Sequence, residues 1–234
     1  MLWFRRDLRL RDLPSLLAAA AESDQVLACF VVDPVLEAST GARRMQFLGD
    51  SVRALRDEID GRLLVTRGRP EAVVPAIVRA CGASSVHVSE DFAPFGRRRD
   101  DRVRAALGDV PLVATGSPYL VSPGAVMKDD GTPYRVFTPF LRRWRELGWP
   151  APARSGPDSV RWLDPVGVTG RGIARVEIPD LGIALGMAAG AEAASRQWAE
   201  FVADGLDSYA AERDRPDRNG TSLAYPQCQR CVAA

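Results

Sequence analysis

The sequence predicts an α/β fold with a five-stranded parallel sheet covered by helices on both faces. Two observations carry that prediction. Short apolar runs without polar alternation recur along the first 115 residues, as suits strands buried on both sides. Between them lie segments whose apolar residues return every three or four positions, the mark of a helix with one covered face. Strict alternation of the two patterns argues for parallel strands joined by crossover helices.

The elements follow in order. Leu2-Trp3-Phe4 reads as the end of a buried strand whose beginning is short or lies outside the chain. Arg5 to Asp12 is the loop leaving that strand, and Leu13 to Ala21 the returning helix. Val26 to Val32 is the second strand, closed by Asp33-Pro34. Phe47, Leu48, Val52, Leu55 and Ile59 form the stripe of a helix over 42–60, stopped by Gly61. Leu63-Leu64-Val65 is the third strand. A helix opens at Pro70, a tolerated first-turn proline, and runs to Gly82. Ser85-Val86-His87-Val88 is the fourth strand, Glu90 to Gly96 a loop, Arg97 to Leu107 a charged helix, and Pro111 to Ala114 the fifth strand.

Beyond residue 130 the pattern changes. A turn at Lys128 to Pro133 leads to a short helix from Thr138 to Leu147, with Thr138 as its cap and Pro139 in its first turn. From Gly148 to Gly186 prolines and glycines are frequent and no period survives, which predicts a linker crossing the surface. Ala188 to Ala211 reads as a helix with Ala194, Trp198, Phe201, Val202 and Leu206 on one stripe. The expected organisation is an α/β domain over 1–130, a linker over 131–187, the start of a helical domain over 188–222, and a tail over 223–234.

Composition excludes several classes. The formal net charge of +1 gives no global attraction to nucleic acid or membrane. Lys128 is the only lysine among 31 basic residues, so the arginine excess reflects coding bias rather than phosphate recognition. No run approaches the ~20 apolar residues of a membrane span, and no secretion signal opens the chain. A cytoplasmic protein is expected. Neither a glycine-rich dinucleotide loop nor a lysine-bearing phosphate loop occurs. His87 is the only histidine and sits in an apolar strand, so it reads as a core residue, and no Ser-His or Cys-His arrangement is available. Cys29 and Cys81 read as small core residues. Cys228-x-x-Cys231 lacks a second ligand pair, so no metal site is expected.

Three stretches remain as candidate sites. In open α/β sheets ligands sit at the carboxyl edge of the strands, where both Arg5–Asp12 and Ser89–Arg97 fall. Acid, base and aromatic residues there, with Arg44 in the first turn of the next helix, could hold a flat heterocycle. The same residues fit a solvated connection with capping acids equally well. The third stretch, Gly131 to Phe140, is by itself only a turn and a helix start.

Taken as strings, these stretches carry a family resemblance. Arg6-Asp7-Leu8-Arg9-Leu10-x-Asp12 after an apolar strand end is similar to the opening of the DNA photolyase and cryptochrome flavoproteins. Ser89 to Arg97 resembles the loop beside a deazaflavin antenna, and Gly131-x-Pro133-Tyr134-x-Val136-Phe137-Thr138-Pro139-Phe140 resembles a family string at this distance from the start. Tyr209 to Pro216 with Gly220-Thr221-Ser222 is similar to the entry of the flavin domain.

The resemblance covers residues 2–222 and only the front half of the family's length. After Ser222 the likeness is lost, which suggests a truncated or frameshifted gene with an out-of-frame tail. It implies a Rossmann-like doubly wound antenna domain followed by the first part of an FAD domain. The implied activity is light-driven repair of cyclobutane pyrimidine dimers, with UV-damaged DNA as partner and the protein a monomer. Tyr209, Thr221 and Ser222 would contact FAD, Arg213 would face DNA, and Arg44 and Asp91 would contact the antenna pigment. That pigment is 8-hydroxy-5-deazaflavin or methenyltetrahydrofolate, and Ala93, where some relatives carry a glutamate, leaves both open. No catalytic residue is expected in this chain, so catalysis by it alone is not expected. The alternatives are a non-catalytic pigment-binding module and a fragment of a cryptochrome-type blue-light photoreceptor.

Overall fold

A computed structural model describes residues 1–168, 170, 172–212 and 214–215. In chain order the elements are β1 (Leu2–Phe4), α1 (Pro14–Glu22), β2 (Gln25–Val26), β3 (Ala28–Val32), α2 (Pro34–Ala38) and α3 (Ala42–Glu58). There follow β4 (Leu63–Arg67), α4 (Pro70–Cys81), β5 (Val86–Val88), α5 (Pro94–Leu107) and β6 (Leu112–Ala114). The last are α6 (Phe137–Leu147), β7 (Arg161–Trp162), α7 (Ala191–Glu200), a π-helical segment (Phe201–Gly205) and α8 (Tyr209–Glu212).

Five strands form one parallel sheet in the order β4-β3-β1-β5-β6. The chain winds outward from β1 in one direction, returns, and winds outward in the other. This is the doubly wound arrangement, and its order reverses between β1 and β5. Strand side chains divide between the two faces. Leu2, Phe4, Phe30, Val32 and Val65 pack with Leu16 of α1 and Val52 and Leu55 of α3. Trp3, Cys29, Val31, Leu64, Val86 and Val88 pack with Val74 and Ile77 of α4 and Val103 of α5. Apolar residues at successive strand positions are thus all buried, which is why the runs do not alternate.

Four expectations need correction. The run from Val26 to Val32 is interrupted at Leu27, because Gln25 and Val26 pair with β7 while Ala28 to Val32 pair with β4. α5 begins at Pro94 rather than Arg97, the proline occupying a first-turn position. α6 begins at Phe137, with Val136 preceding it, and Thr138 does not cap it. The helix expected over 188–211 starts only at Ala191 and passes through the π segment before α8. Its start is set by Gly190, whose φ is +97° and whose added Cβ would lie 2.7 Å from that of Ala54 in α3.

The segment expected as a surface linker does more than cross the surface. Residues 174–176 run along the outer edge of β4: Arg67 N–H donates to Ala174 O, Val176 N–H donates to Val65 O, and Thr66 and Arg175 form an antiparallel bridge. Trp162, Val168 and Ile178 are buried in the core. An unpaired sheet edge invites intermolecular pairing, and this strap closes it. Its contacts lie far apart in sequence, so no local period reveals them.

Candidate functional site

The loops leaving β1 and β5 meet where the strand order reverses. Arg5 reaches across this gap to Asp100 of α5 and to the carbonyl of Ser89, while Ser89 Oγ donates to Asp7. Arg99 donates to Asp100 at 2.9 Å and to Asp91 at 3.2 Å. The Arg5 and Arg99 guanidinium groups stand 5.1 and 5.3 Å from the ring of Trp3. Two cations therefore share one indole and one carboxylate. Burial, and then the adjacent Arg99 charge, pull the Arg5 guanidinium below its ordinary range, and it stays charged nonetheless.

Arg5 and Arg99 are balanced by Asp7, Asp91 and Asp100, all buried. Buried ions persist only when paired and hydrogen-bonded, and this cluster meets that condition internally. Arg6, half exposed, adds a further cation 3.7 Å from Asp91.

Asp91 is fixed from three sides. One oxygen accepts from Ala93 N–H at 3.1 Å and faces Arg6, and the other accepts from Arg99. Gly96 makes room for it, since a Cβ there would fall 2.2 Å from the carboxyl group. Arg44, in the first turn of α3 at the same end of the sheet, is exposed and has no side-chain partner among the described residues. No ion pair joins it to Asp91. Phe92 stands on the open rim, edge-on to Tyr119 and 5.7 Å beneath the Arg97 guanidinium.

Below the rim lies a crevice of about 30 Å³ bounded by Arg6, Asp7, Phe47, Ser51, Gly190 and Ala194. That is room for about one water. A heterocycle does not fit the crevice; the rim, with Arg6, Arg44, Phe92 and Arg97, offers open donors and an aromatic face.

Sequence reasoning did not single out Arg99 and Asp100. A signal was present: Gly96, Arg99, Asp100, Val103 and Leu107 fall on one helical stripe, the buried face of α5. Charged residues on a core-facing stripe require partners, and the loops after β1 and β5 supply them.

His87 is buried in β5, within 3.0 Å of Ser85 Oγ and 3.1 Å of Glu22 Oε2. It lies at the opposite end of the sheet from the rim. Burial pulls its imidazole below the ordinary range, opposed by Glu22. The Cys29 thiol, fully buried beneath the sheet, is pushed up to about 12. Neither group is poised for chemistry at the rim.

Tyr209 lies in α8, 43 % exposed, with its ring edge-on to Phe201 at 6.0 Å. Arg213, Thr221, Ser222, Cys228 and Cys231 lie outside the described residues. Among the described residues no helix is long and apolar enough to cross a membrane.

The DNA photolyase family model matches residues 1–157, two-thirds of the chain. The chain belongs to the DNA photolyase family. It is 37% identical over 231 residues to the deoxyribodipyrimidine photo-lyase of Thermus thermophilus, covering 97% of this chain and 50% of that one. An uncharacterized 31.6 kDa protein of a Synechococcus species is 35% identical over 97% of this chain and 82% of its own length. Among solved structures, a class III photolyase of Agrobacterium tumefaciens superposes with a TM-score of 0.79 at 24% identity, over 99% of this chain and 50% of that one. A Synechocystis cryptochrome gives the same TM-score at 20% identity, over 91% of this chain. The chain spans about half the length of the photo-lyases it matches.

Proposed function

We propose that this chain carries the antenna-pigment half of a light-driven photolyase that repairs cyclobutane pyrimidine dimers in UV-damaged DNA. The observation that supports this most is the convergence of the loops after β1 and β5 at the strand-order reversal. In doubly wound sheets that is the ligand-binding place. We place the pigment, 8-hydroxy-5-deazaflavin or methenyltetrahydrofolate, on the open rim.

Each residue has a task in that reading. Arg44 and Arg6 donate hydrogen bonds from the rim. Asp91, already oriented by Arg99 and the Ala93 amide, presents a fixed negative edge. Phe92 with Arg97 offers a face on which a flat ring stacks. A bound pigment would supply light absorption and transfer of excitation to FAD.

For FAD the described residues offer Tyr209 alone, too little to hold a dinucleotide, so no flavin step is derived from them. Dimer splitting requires the lesion to leave the helix stack, and we place that chemistry in the half of the photo-lyases outside the match. On this reading residues 1–130 form the antenna domain, and the helices from residue 188 open the flavin domain. Arg213 faces DNA, with Thr221 and Ser222 beside the flavin. The exposure of Tyr209 favours one further reading, in which the chain acts as a pigment-binding module without its own flavin chemistry.

The test is the absorption spectrum of the purified protein and of its supernatant after denaturation, followed by a repair assay on dimer-containing DNA under blue light. A released deazaflavin or folate supports the antenna assignment. FAD in the extract, with repair, extends the activity to this chain. A colourless, folded protein that takes up neither pigment when supplied rejects the reading.

A further inference from the structure

The loop that carries Arg6 and Asp7 into the site is shaped from outside itself. Its far half, Leu10 to Leu13, is a four-residue turn whose third residue, Asp12, has a φ of +49°. That left-handed region is uncommon for a residue other than glycine. In such a turn the fourth N–H faces the first carbonyl. Here a serine hydroxyl from the far side of the sequence bridges the two groups. Leu13 N–H donates to Ser155 Oγ at 2.8 Å, and Ser155 Oγ donates to Leu10 O at 2.7 Å. Beside this bridge, Ala153 N–H donates to the Asp12 carboxylate at 2.8 Å.

Arg9 carries the constraint back toward the rim. Its buried guanidinium donates to Arg11 O at 3.0 Å and to Asp12 O at 2.8 Å. Its N–H donates to Asp7 O at 2.8 Å. Arg6 and Asp7 are thus tied, through Arg9, to the turn that Ser155 bridges. Ser155 is held in its own place from behind. Gly156 N–H donates to Ser159 Oγ across the single 3-10 turn at Pro157–Ser159, and Trp162, buried in the core, donates its indole N–H to Pro157 O.

A hydroxyl suits this position because it donates and accepts at once. Leu10 and Leu13 are buried. Without the hydroxyl, their N–H and C=O either close on each other and shift the loop or stay short of partners, which is costly.

We propose that Ser155 is a positioning residue for the pigment rim: brought by the segment beyond the sheet, it sets the loop after β1 and, through Arg9, the placement of Arg6 and Asp7. The proposal rests on the pigment reading given above. Pigment binding and the seating of residues 153–155 are then coupled, and such coupling is reciprocal. Whatever the seat adds to pigment affinity, bound pigment adds to the seat.

The experiment follows amide hydrogen exchange in the unaltered protein, Ser155→Ala and Ser155→Thr. Each is measured free and with 8-hydroxy-5-deazaflavin or methenyltetrahydrofolate, alongside fluorescence titrations with the same two compounds. In the free protein Ser155→Ala should speed exchange over 9–13 well beyond any change in β3 and β4. It should weaken the pigment that the unaltered protein takes up by about tenfold, within the usual range for coupled sites. Ser155→Thr, which keeps the hydroxyl, should restore both. Pigment should slow exchange over 153–155 in the unaltered protein, a measurement that decides the matter even where Ser155→Ala fails to fold. With a pigment bound, three results each overturn this proposal alone: equal affinity in Ser155→Ala, unchanged exchange over 9–13, or exchange over 153–155 indifferent to pigment. If the unaltered protein takes up neither compound, the pigment reading falls and this proposal falls with it.

Discussion

Two regions of the molecule reverse the usual sorting of side chains, in opposite senses. At the carboxyl edge of β1 and β5 charged residues lie inside: Arg5, Asp7, Asp91, Arg99 and Asp100 are buried or nearly so. On α6 aromatic residues lie outside. The first region satisfies its own demands, since each buried carboxylate meets a guanidinium, a hydroxyl or an amide. The second does not: α6 carries an apolar stripe and buries no side chain. A closed polar cluster fixes geometry from within, whereas an open apolar face awaits a surface from elsewhere. Substitutions should therefore act on stability in the first region and on association in the second.

The largest effect is expected at Arg99. Replacing it with Met keeps the stem but leaves Asp91 and Asp100 facing Arg6 and Arg5 alone. Removing one partner of a buried ion pair costs about 3–5 kcal/mol, and urea unfolding monitored by circular dichroism should show a loss of that order. A loss under about 1 kcal/mol, the range of surface pairs, would mean that water reaches the cluster. Gly96→Ala comes next. Its new Cβ would push into the Asp91 carboxyl, 2.2 Å away, and overpacking of this kind costs about 1–3 kcal/mol. If the carboxylate swings outward instead, stability is kept and rim binding should suffer, which separates the structural from the functional use of Asp91.

The difference between the regions also governs what could be read from the sequence. The five strands and the helices between them were legible because burial on both faces writes a local pattern. The polar cluster was half legible. The stretches from Trp3 to Asp12 and from Ser89 to Arg97 stand out as charged loops after strands, but Arg99 and Asp100 hide inside a helix dense in charge. The strap at 174–176 left no trace, since its bonds to Val65 and Arg67 join segments more than 100 residues apart and the prolines and glycines around it erase any period. α6 was legible as a helix and silent about exposure, for an apolar stripe looks the same whether it is covered or not.

A smaller effect should appear at the far end of the sheet, where His87 is buried with Glu22 and Ser85. Its imidazole lies below the ordinary 6.5, chiefly through burial. As pH falls through 6.5 the unfolded chain takes up the proton before the folded one does, so stability declines with acidification from there downward. Glu22, lowered first by its bond from Ser85, adds its own loss only below its ordinary value of 4.5. Denaturation midpoints between pH 7.5 and 5 should therefore drift down, and His87→Gln should flatten that drift. A flat profile in the unaltered protein would mean that His87 titrates alike in the folded and unfolded states.

The smallest effect on folding belongs to α6, and its smallness is the point. Phe137→Ser removes a side chain that is 70 % exposed, so the unfolding free energy should move by no more than about 0.5 kcal/mol, the usual range for surface positions. In a covered helix the same truncation would cost about 3–5 kcal/mol. The variant should also stay soluble at higher concentration, because the aromatic face promotes non-specific contact. If Phe137→Ser instead destabilised the chain by several kcal/mol, the stripe would be packed within this protein and would not be free for a partner. The two regions would then obey the same rule.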